Sequence, residues 1–425
     1  MTTSSWPALL RRLLRGEALT ADESGWAMNE IMEGAASPAQ IAGFGIALRA
    51  KGETAEEMSG IATSMLAHAT PITIPGPVTD LVGTGGDGAQ TVNISTMATI
   101  VAAASGVRMV KHGNRAASSS CGAADVLEEL GIVIDLTPEA SESLFQELGL
   151  VFLFASLYHP SFRHAGPVRR DLGVPTFFNY LGPLTNPARP TSVAVGVADP
   201  VVGPMLAATF AARGTTALVF HGGGIDELTT TGSSSVWLVS GRSVTAAEFD
   251  PLTVGLPRAT LADLRGGDAP RNAGVARAVL AGERGPVRDI VLLNAAAAIV
   301  ASEGVAFAAP GATGDAAEGL SKALADGITR AAQAVDSGAA TDLLQRWTIA
   351  SNRLATPRQR LFLTHRIFPL VSGRSDPPHA LVAPALVPRL SLLGYRGGAP
   401  FGSRGGSSVR TALRPFGSRV TRARP

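Results

Sequence analysis

DLVGTGGDGAQTVNISTMATIVAAASGVRMVKHGNRAASSSCGAADVLEELG, residues 80–131, sets three glycine-rich or hydroxyl-rich turns between apolar stretches. The turns are GTGGDG (Gly83 to Gly88), NIST (Asn93 to Thr96) and KHGNRAASS (Lys111 to Ser119). Strand-like Thr79 to Val82 and Val107 to Val110 lead into them, and helix-like Met97 to Ala104 and Gly122 to Leu130 lead out. A glycine turn between a strand and a helix directs backbone N–H groups and a helix N-terminus at one ligand, which is the geometry of a phosphate cradle. The stretch is not a Walker A loop, because no Gly-Lys-Ser/Thr follows. It also lacks the acid about 20 residues on that a dinucleotide fingerprint requires.

The same alternation runs on downstream. Short apolar runs at Ile132 to Leu136, Val151 to Phe154, Val193 to Val197, Ala217 to His221 and Val236 to Val239 are separated by helix-like Pro138 to Leu148 and Val201 to Ala212. That order predicts an α/β domain, 71–355, with a central, largely parallel sheet. Upstream, Ile41, Phe44, Ile46 and Leu48, then Met58, Ile61, Met65 and Leu66, recur at helical spacing and predict a smaller helical domain over residues 1–70. A helical piece at Phe162 to Leu172, within a returning segment near 160–185, is expected to pack back on those helices.

Composition narrows the function classes. The chain has 425 residues, 45% hydrophobic and 16% charged, as a soluble globular protein would. Its apolar runs, such as Val291 to Ala301 broken by Asn294, fall short of the ~18 to 20 residues a membrane span needs. Arginines near Leu9 to Leu14 are followed at once by Glu17, Asp22 and Glu23, unlike a targeting peptide, and a single cysteine, Cys121, suits a reducing, cytoplasmic setting. Cys121 reads as a small packing residue rather than a nucleophile. The isoelectric point near 9.0 misleads about partners. Of 36 basic and 34 acidic residues, nine arginines and one acid lie after Ser372, so the body carries −6 and the tail +8. The tail, 373–425, is rich in Pro, Gly, Ser and Arg, repeats PFGSR and is expected to be disordered. An acidic body gives no reason to expect a specific nucleic-acid partner.

Donors in the three turns suit a ligand bearing several phosphates: the hydroxyls and amide of NIST, then Lys111, Arg115, Ser118 and Ser119, with Asp87 the one acid among them. Asp226 and Glu227 open DELTTT after a strand and a glycine turn. Adjacent carboxylates beside a phosphate cradle read as oxygen ligands for Mg²⁺, which usually enters such sites with substrate phosphates.

Six motifs in order carry a family resemblance: GTGGDG, NIST, KHGNRAASS with AADVLEELG, HPSFRHAGPVRRDLG (His159 to Gly173), FNYLGPLTNP (Phe178 to Pro187) and DELTTT. Together they resemble the anthranilate phosphoribosyltransferases of tryptophan biosynthesis over about Leu9 to Leu354. The resemblance implies a helical domain through which homodimers form, joined to an α/β domain of the nucleoside phosphorylase type. It implies transfer of phosphoribosyl from phosphoribosyl pyrophosphate to anthranilate. It assigns phosphoribosyl pyrophosphate to Gly83, Gly86, Asp87, Thr91, Asn93, Ile94, Ser95, Thr96, Lys111, His112, Gly113, Asn114, Arg115, Ala116, Ala117, Ser118, Ser119 and Ala123. Magnesium falls to Ser95, Asp226 and Glu227, and anthranilate to Gly83, Asn114 and Arg169, while Lys111, His112, Asn114 and Arg169 stand nearest the chemistry.

Arginine's planar fork matches a carboxylate such as that of anthranilate. One departure is Ala155-Ser156, where the family commonly reads Ala-Pro; it bears on the outer anthranilate channel. A pyrimidine nucleoside phosphorylase-like enzyme would share the fold but needs neither the carboxylate pair nor Arg169. A non-enzymatic nucleic-acid-binding relative would carry basic charge on its body.

Overall fold

The computed structural model describes residues 4–116, 120–304, 315–357 and 359. The basic tail 373–425, and Ala117, Ser118 and Ser119 of the third turn, lie outside the described residues. Among the described residues no helix is long and apolar enough to cross a membrane.

The chain opens on four helices: α1 (Trp6–Leu14), α2 (Ala21–Met32), α3 (Pro38–Lys51) and α4 (Ala55–Ala67). Three of them start in reciprocal capping boxes, Thr20 with Glu23, Ser37 with Gln40 and Thr54 with Glu57, each satisfying two backbone donors that a helix start leaves over. Glu57 is fully buried and does more, since its carboxylate also accepts from Leu19 N (2.9 Å) and Lys51 Nζ (2.9 Å) and so ties the α1–α2 connection to α4. The segment after Pro160 forms a 3-10 turn, Pro160–His164, and a helix, Gly166–Leu172. Ala165 and Val168 join Phe44, Phe177 and Phe178 in the core of these helices, with the Phe44 and Phe177 rings edge-on at 5.3 Å.

Among the described residues seven strands follow: β1 (Thr79–Gly83), β2 (Met109–Gly113), β3 (Leu150–Phe154), β4 (Ser192–Gly196), β5 (Thr216–His221), β6 (Ser234–Ser240) and β7 (Ser243–Phe249). They form one sheet in the order β3-β2-β1-β4-β5-β6-β7. The first five are parallel, and β6 and β7 add an antiparallel edge. Side chains alternate between two cores as strand geometry demands. Val193, Val195 and Val197 face the N-terminal helices, whereas Ala194, Leu218 and Phe220 face a second core with the helices α5 (Ile94–Ala104), α6 (Ala123–Glu129), α7 (Pro138–Leu148) and Pro286–Glu303.

Two expectations need correction. Ile132 to Leu136 is not a strand: Ile132 N donates to Leu127 O and Val133 N to Ser351 Oγ, so these apolar residues bury against the helix Ala339–Leu354 instead of joining the sheet. Strand β7 was absent from the expected set because SVTAAEF holds few large apolar residues. Its pairing comes from the tight turn at Gly241, whose φ of 58° permits a two-residue hairpin.

Candidate active site

The sheet order reverses between β1 and β4, and the carboxyl ends of strands at such a point border a crevice. The glycine-rich and hydroxyl-rich turns all leave the carboxyl ends of β1 and β2 or begin α5, so they converge there. The result is a cleft of about 630 Å³ with a polar end and an aromatic end. The glycine turn bends by positive φ at Gly85 (71°), Gly86 (85°) and Gly88 (71°), a conformation other residues rarely adopt.

At the polar end, Asp226 and Glu227 come down onto the strands. A Cβ on Gly196 would lie 1.7 Å from the Asp226 carbonyl oxygen, so only glycine allows β4 to pass beneath. Asp226 Oδ2 accepts from Gly85 N (2.7 Å), and Glu227 Oε1 accepts from Ser95 N (3.1 Å) at the start of α5. Lys111 is buried and donates to Leu81 O (2.7 Å) and Ser95 Oγ (3.2 Å). Burial, reinforced by the charge of Asp87, pushes Asp226 up to about 7. Burial and the charge of Asp226 raise Glu227 well above the usual carboxylate range, and burial pulls Lys111 down.

Asp226 and Glu227, together with the buried Asp80 on β1, therefore crowd one lysine, an excess of carboxylates that a divalent cation would relieve. Among the described residues no three such side chains already form a closed metal site. That donor set fits Mg²⁺, which completes its shell with water and substrate phosphate rather than an all-protein cage.

Of the residues assigned to the phosphate ligand, Gly83, Gly86, Asp87, Thr91, Asn93, Ile94, Ser95, Lys111, His112, Gly113, Asn114, Arg115, Ala116 and Ala123 line the cleft. Thr96 is instead buried, and its Oγ1 has no hydrogen-bond partner among the described residues. Two cleft residues have their side chains engaged elsewhere. Arg115 pairs with Asp125 (3.0 Å) and Glu128 (2.9 Å) and lies over Phe154, so much of its charge is already neutralised. Asn93 donates to Cys121 O (3.1 Å) and accepts from Asn272 Nδ2 (2.9 Å). The thiol of Cys121 is pushed by burial up to about 11, in keeping with a packing role.

At the aromatic end, Arg169 extends between two rings, its guanidinium carbon 5.2 Å from the Phe162 centroid and 5.8 Å from that of Phe178. Burial alone lowers its pKa, and no carboxylate among the described residues pairs with it. A half-buried, stacked guanidinium of this kind is set to receive a planar carboxylate. Asn114 faces the same space, its Oδ1 accepting from Arg115 N (2.8 Å) and from Ser156 Oγ (3.1 Å). Ser156, the departure noted in the sequence, is thus a hydrogen-bond partner of a predicted site residue.

Two histidines sit between the ends. His112 Nδ1 meets Gly182 O (3.1 Å), His159 Nε2 meets Thr185 O (2.8 Å), and the rings contact edge-on at 5.3 Å. Burial holds His112 down to about 3 and His159 to about 4, so both are neutral. The remaining nitrogen of each, His112 Nε2 and His159 Nδ1, is buried without a partner among the described residues. Phe162, Phe178 and His159 belong to motifs quoted from the sequence but received no role there. Asp80 was missed as well. It is fully buried, accepts from His112 N (3.2 Å) and Asn186 Nδ2 (2.9 Å), and holds β2 beside the cleft.

A helical bundle beside a largely parallel sheet with a glycine-lined cleft at its switch point is the architecture of the glycosyl transferase family. Residues 7–69 match the family's helical bundle domain and residues 75–341 its a/b domain. An anthranilate phosphoribosyltransferase of Thermobifida fusca is 56% identical over 84% of this chain and 99% of its own, and one of Salinispora arenicola 55% identical over 82% and 97%. The solved anthranilate phosphoribosyltransferase of Thermus thermophilus superposes with a TM-score of 0.73 at 40% identity, covering 81% of this chain and 99% of that one. The Saccharomyces cerevisiae enzyme, solved in complex with phosphoribosyl pyrophosphate and Mg, superposes with a TM-score of 0.71 at 25% identity, covering 82% and 98%. The chain belongs to the anthranilate phosphoribosyltransferase family.

Proposed function

We propose that the protein transfers the phosphoribosyl group of phosphoribosyl pyrophosphate to the amine of anthranilate, giving N-(5-phosphoribosyl)anthranilate and pyrophosphate, in tryptophan biosynthesis. The observation that carries this reading is the two-ended cleft: a phosphate cradle faces Arg169, a cation stacked on two phenyl rings with no carboxylate of its own among the described residues.

The amine nitrogen forms a bond to the anomeric carbon as the bond from that carbon to pyrophosphate breaks, and the nitrogen then gives up a proton to water or to the departing pyrophosphate. An aromatic amine is a weak base and carries its lone pair unprotonated at neutral pH, so the protein's task is positioning and charge stabilisation. Arg169 holds the carboxylate and Asn114 orients the ring's nitrogen side. Lys111 lies at the pyrophosphate end, its Nζ donating to Leu81 O and Ser95 Oγ. Ser95, Asp226 and Glu227 would hold Mg²⁺, which offsets the charge of the departing pyrophosphate.

The helical bundle is read as the face through which two copies pair, supported by the exposed apolar residues Leu14 on α1 and Ile46 on α3. A cytoplasmic site of action accords with the single cysteine. The test of function is loss of anthranilate fluorescence on adding phosphoribosyl pyrophosphate with Mg²⁺. No consumption of anthranilate, or phosphorolysis of a pyrimidine nucleoside instead, would overturn the assignment.

A further inference from the structure

The carboxyl ends of β2 and β3 bring together two residues 42 apart in sequence, Asn114 and Ser156. Gly113 and Phe154 are the last paired residues of these parallel strands, so the turn that begins at Asn114 and the short helix Ala155–Tyr158 leave the sheet side by side. The backbone of Asn114 is fixed by the start of α6: its carbonyl accepts from Ala124 N (3.2 Å), and a Cβ on Gly122 would lie 2.9 Å from the same oxygen. Its side chain is fixed as well. Arg115 N (2.8 Å) can only donate, so the amide atom that meets it is Oδ1, and Ser156 Oγ (3.1 Å) donates to that same oxygen. An amide oxygen has two lone pairs, and both are used. Among the described residues Nδ2 has no hydrogen-bond partner, so Asn114, which lines the cleft, offers it side-chain donors only.

We propose that Ser156 is a positioning residue for anthranilate: its hydroxyl, together with Arg115 N, commits Asn114 to donate from Nδ2 to the anthranilate carboxylate. The inference rests on the reading of the cleft argued above. Anthranilate carries its carboxylate and its amine on adjacent ring carbons. A donor to the carboxylate oxygen beside the amine therefore orients the amine without engaging the lone pair that attacks. An amide turned the other way would set its oxygen against the carboxylate, two acceptors face to face. Without Ser156 the correct orientation is held by one bond in place of two. Proline, the residue the family commonly has at this position, has no hydroxyl to make the second.

The experiment measures kcat and both Michaelis constants by anthranilate fluorescence for wild type, Ser156→Ala, Ser156→Thr and Ser156→Pro. Ser156→Ala is expected to raise the constant for anthranilate about two- to tenfold, the strength of one neutral hydrogen bond. Because the contact is made to bound substrate and transition state alike, kcat and the constant for phosphoribosyl pyrophosphate should stay within about twofold of wild type. Ser156→Thr keeps the hydroxyl and should keep the wild-type constant. Ser156→Pro separates the hydroxyl from the backbone. Residue 156 stands in the first turn of its helix, where proline is tolerated, so this variant stiffens the chain, lacks the donor and should match Ser156→Ala. An unchanged constant for anthranilate in Ser156→Ala overturns the proposal. So does a rise that threonine fails to prevent, or one that proline cancels, which would make backbone rigidity the role of the position. A rise for phosphoribosyl pyrophosphate as large as that for anthranilate overturns it too, since Asn114 would then serve a phosphate. Wild type that consumes no anthranilate would overturn the functional reading itself.

Discussion

Gly83 lies directly beneath the carboxylate of Asp226: a Cβ at Gly83 would stand 2.0 Å from Oδ2. The two residues are far apart in sequence, yet the turn after β1 and the loop after β5 share one volume. Gly83→Ala is therefore expected to displace Asp226 and break its bond from Gly85 N while leaving the sheet intact. A shift of about 1 Å in a charge-positioning group costs on the order of 10²-fold in rate. Turnover should fall by that factor with little change in the circular dichroism spectrum; full activity would show that the carboxylate's position is not used.

Replacing both Asp226 and Glu227 by alanine should abolish turnover and any dependence on Mg²⁺. Without its carboxylates the polar end can no longer recruit a cation against the pyrophosphate charge. Fluorescence turnover assays across a Mg²⁺ titration check this, with thermal melting to show that the variant is folded. Mg²⁺-dependent activity in the double variant would move the metal site elsewhere.

Arg169→Ala should raise the Michaelis constant for anthranilate far more than that for phosphoribosyl pyrophosphate. A charged hydrogen bond to a carboxylate contributes about 1.5 to 3 kcal/mol, roughly 10- to 150-fold in affinity. Arg169→Lys should rescue little, since an ammonium offers neither the planar fork nor the stacking on Phe162 and Phe178. Equal effects on both substrates in steady-state kinetics would place the arginine's role outside anthranilate binding.

The paired histidines predict a pH dependence of stability. With folded values near 3 for His112 and 4 for His159 against about 6.5 in the unfolded chain, the unfolded state binds more protons below pH 6.5. Their contribution is complete above pH 6.5 and is lost as pH falls toward 4 and then 3, by up to about 1.4 kcal/mol per pH unit for each ring. His159→Gln should flatten the fall between pH 6.5 and 4 in denaturant unfolding curves. An unchanged slope would mean that His159 is protonated in the folded protein.

Much of this fold is local in origin and was legible as such. The strand β3, the helix α7 and the glycine turns follow from apolar periodicity, Pro138 at a helix start and glycine where φ must be positive. The residue types of the site could also be read, because a phosphate needs donors and a carboxylate needs an arginine. Partner choice could not. Whether Ile132 to Leu136 joins a sheet or packs on a distant helix depends on which surface reaches it first, and its own residues suit both. Nothing local shows that Asn93 is claimed by Asn272, that Arg115 is claimed by Glu128, or that Thr96 turns into the core. The sequence by itself determined the elements, the turns and the chemical kinds of group available. The tertiary structure alone decided which of those groups face the cleft, because each such choice is a contact between segments remote in sequence, and hydrogen-bond partners there are set by the packing of the sheet.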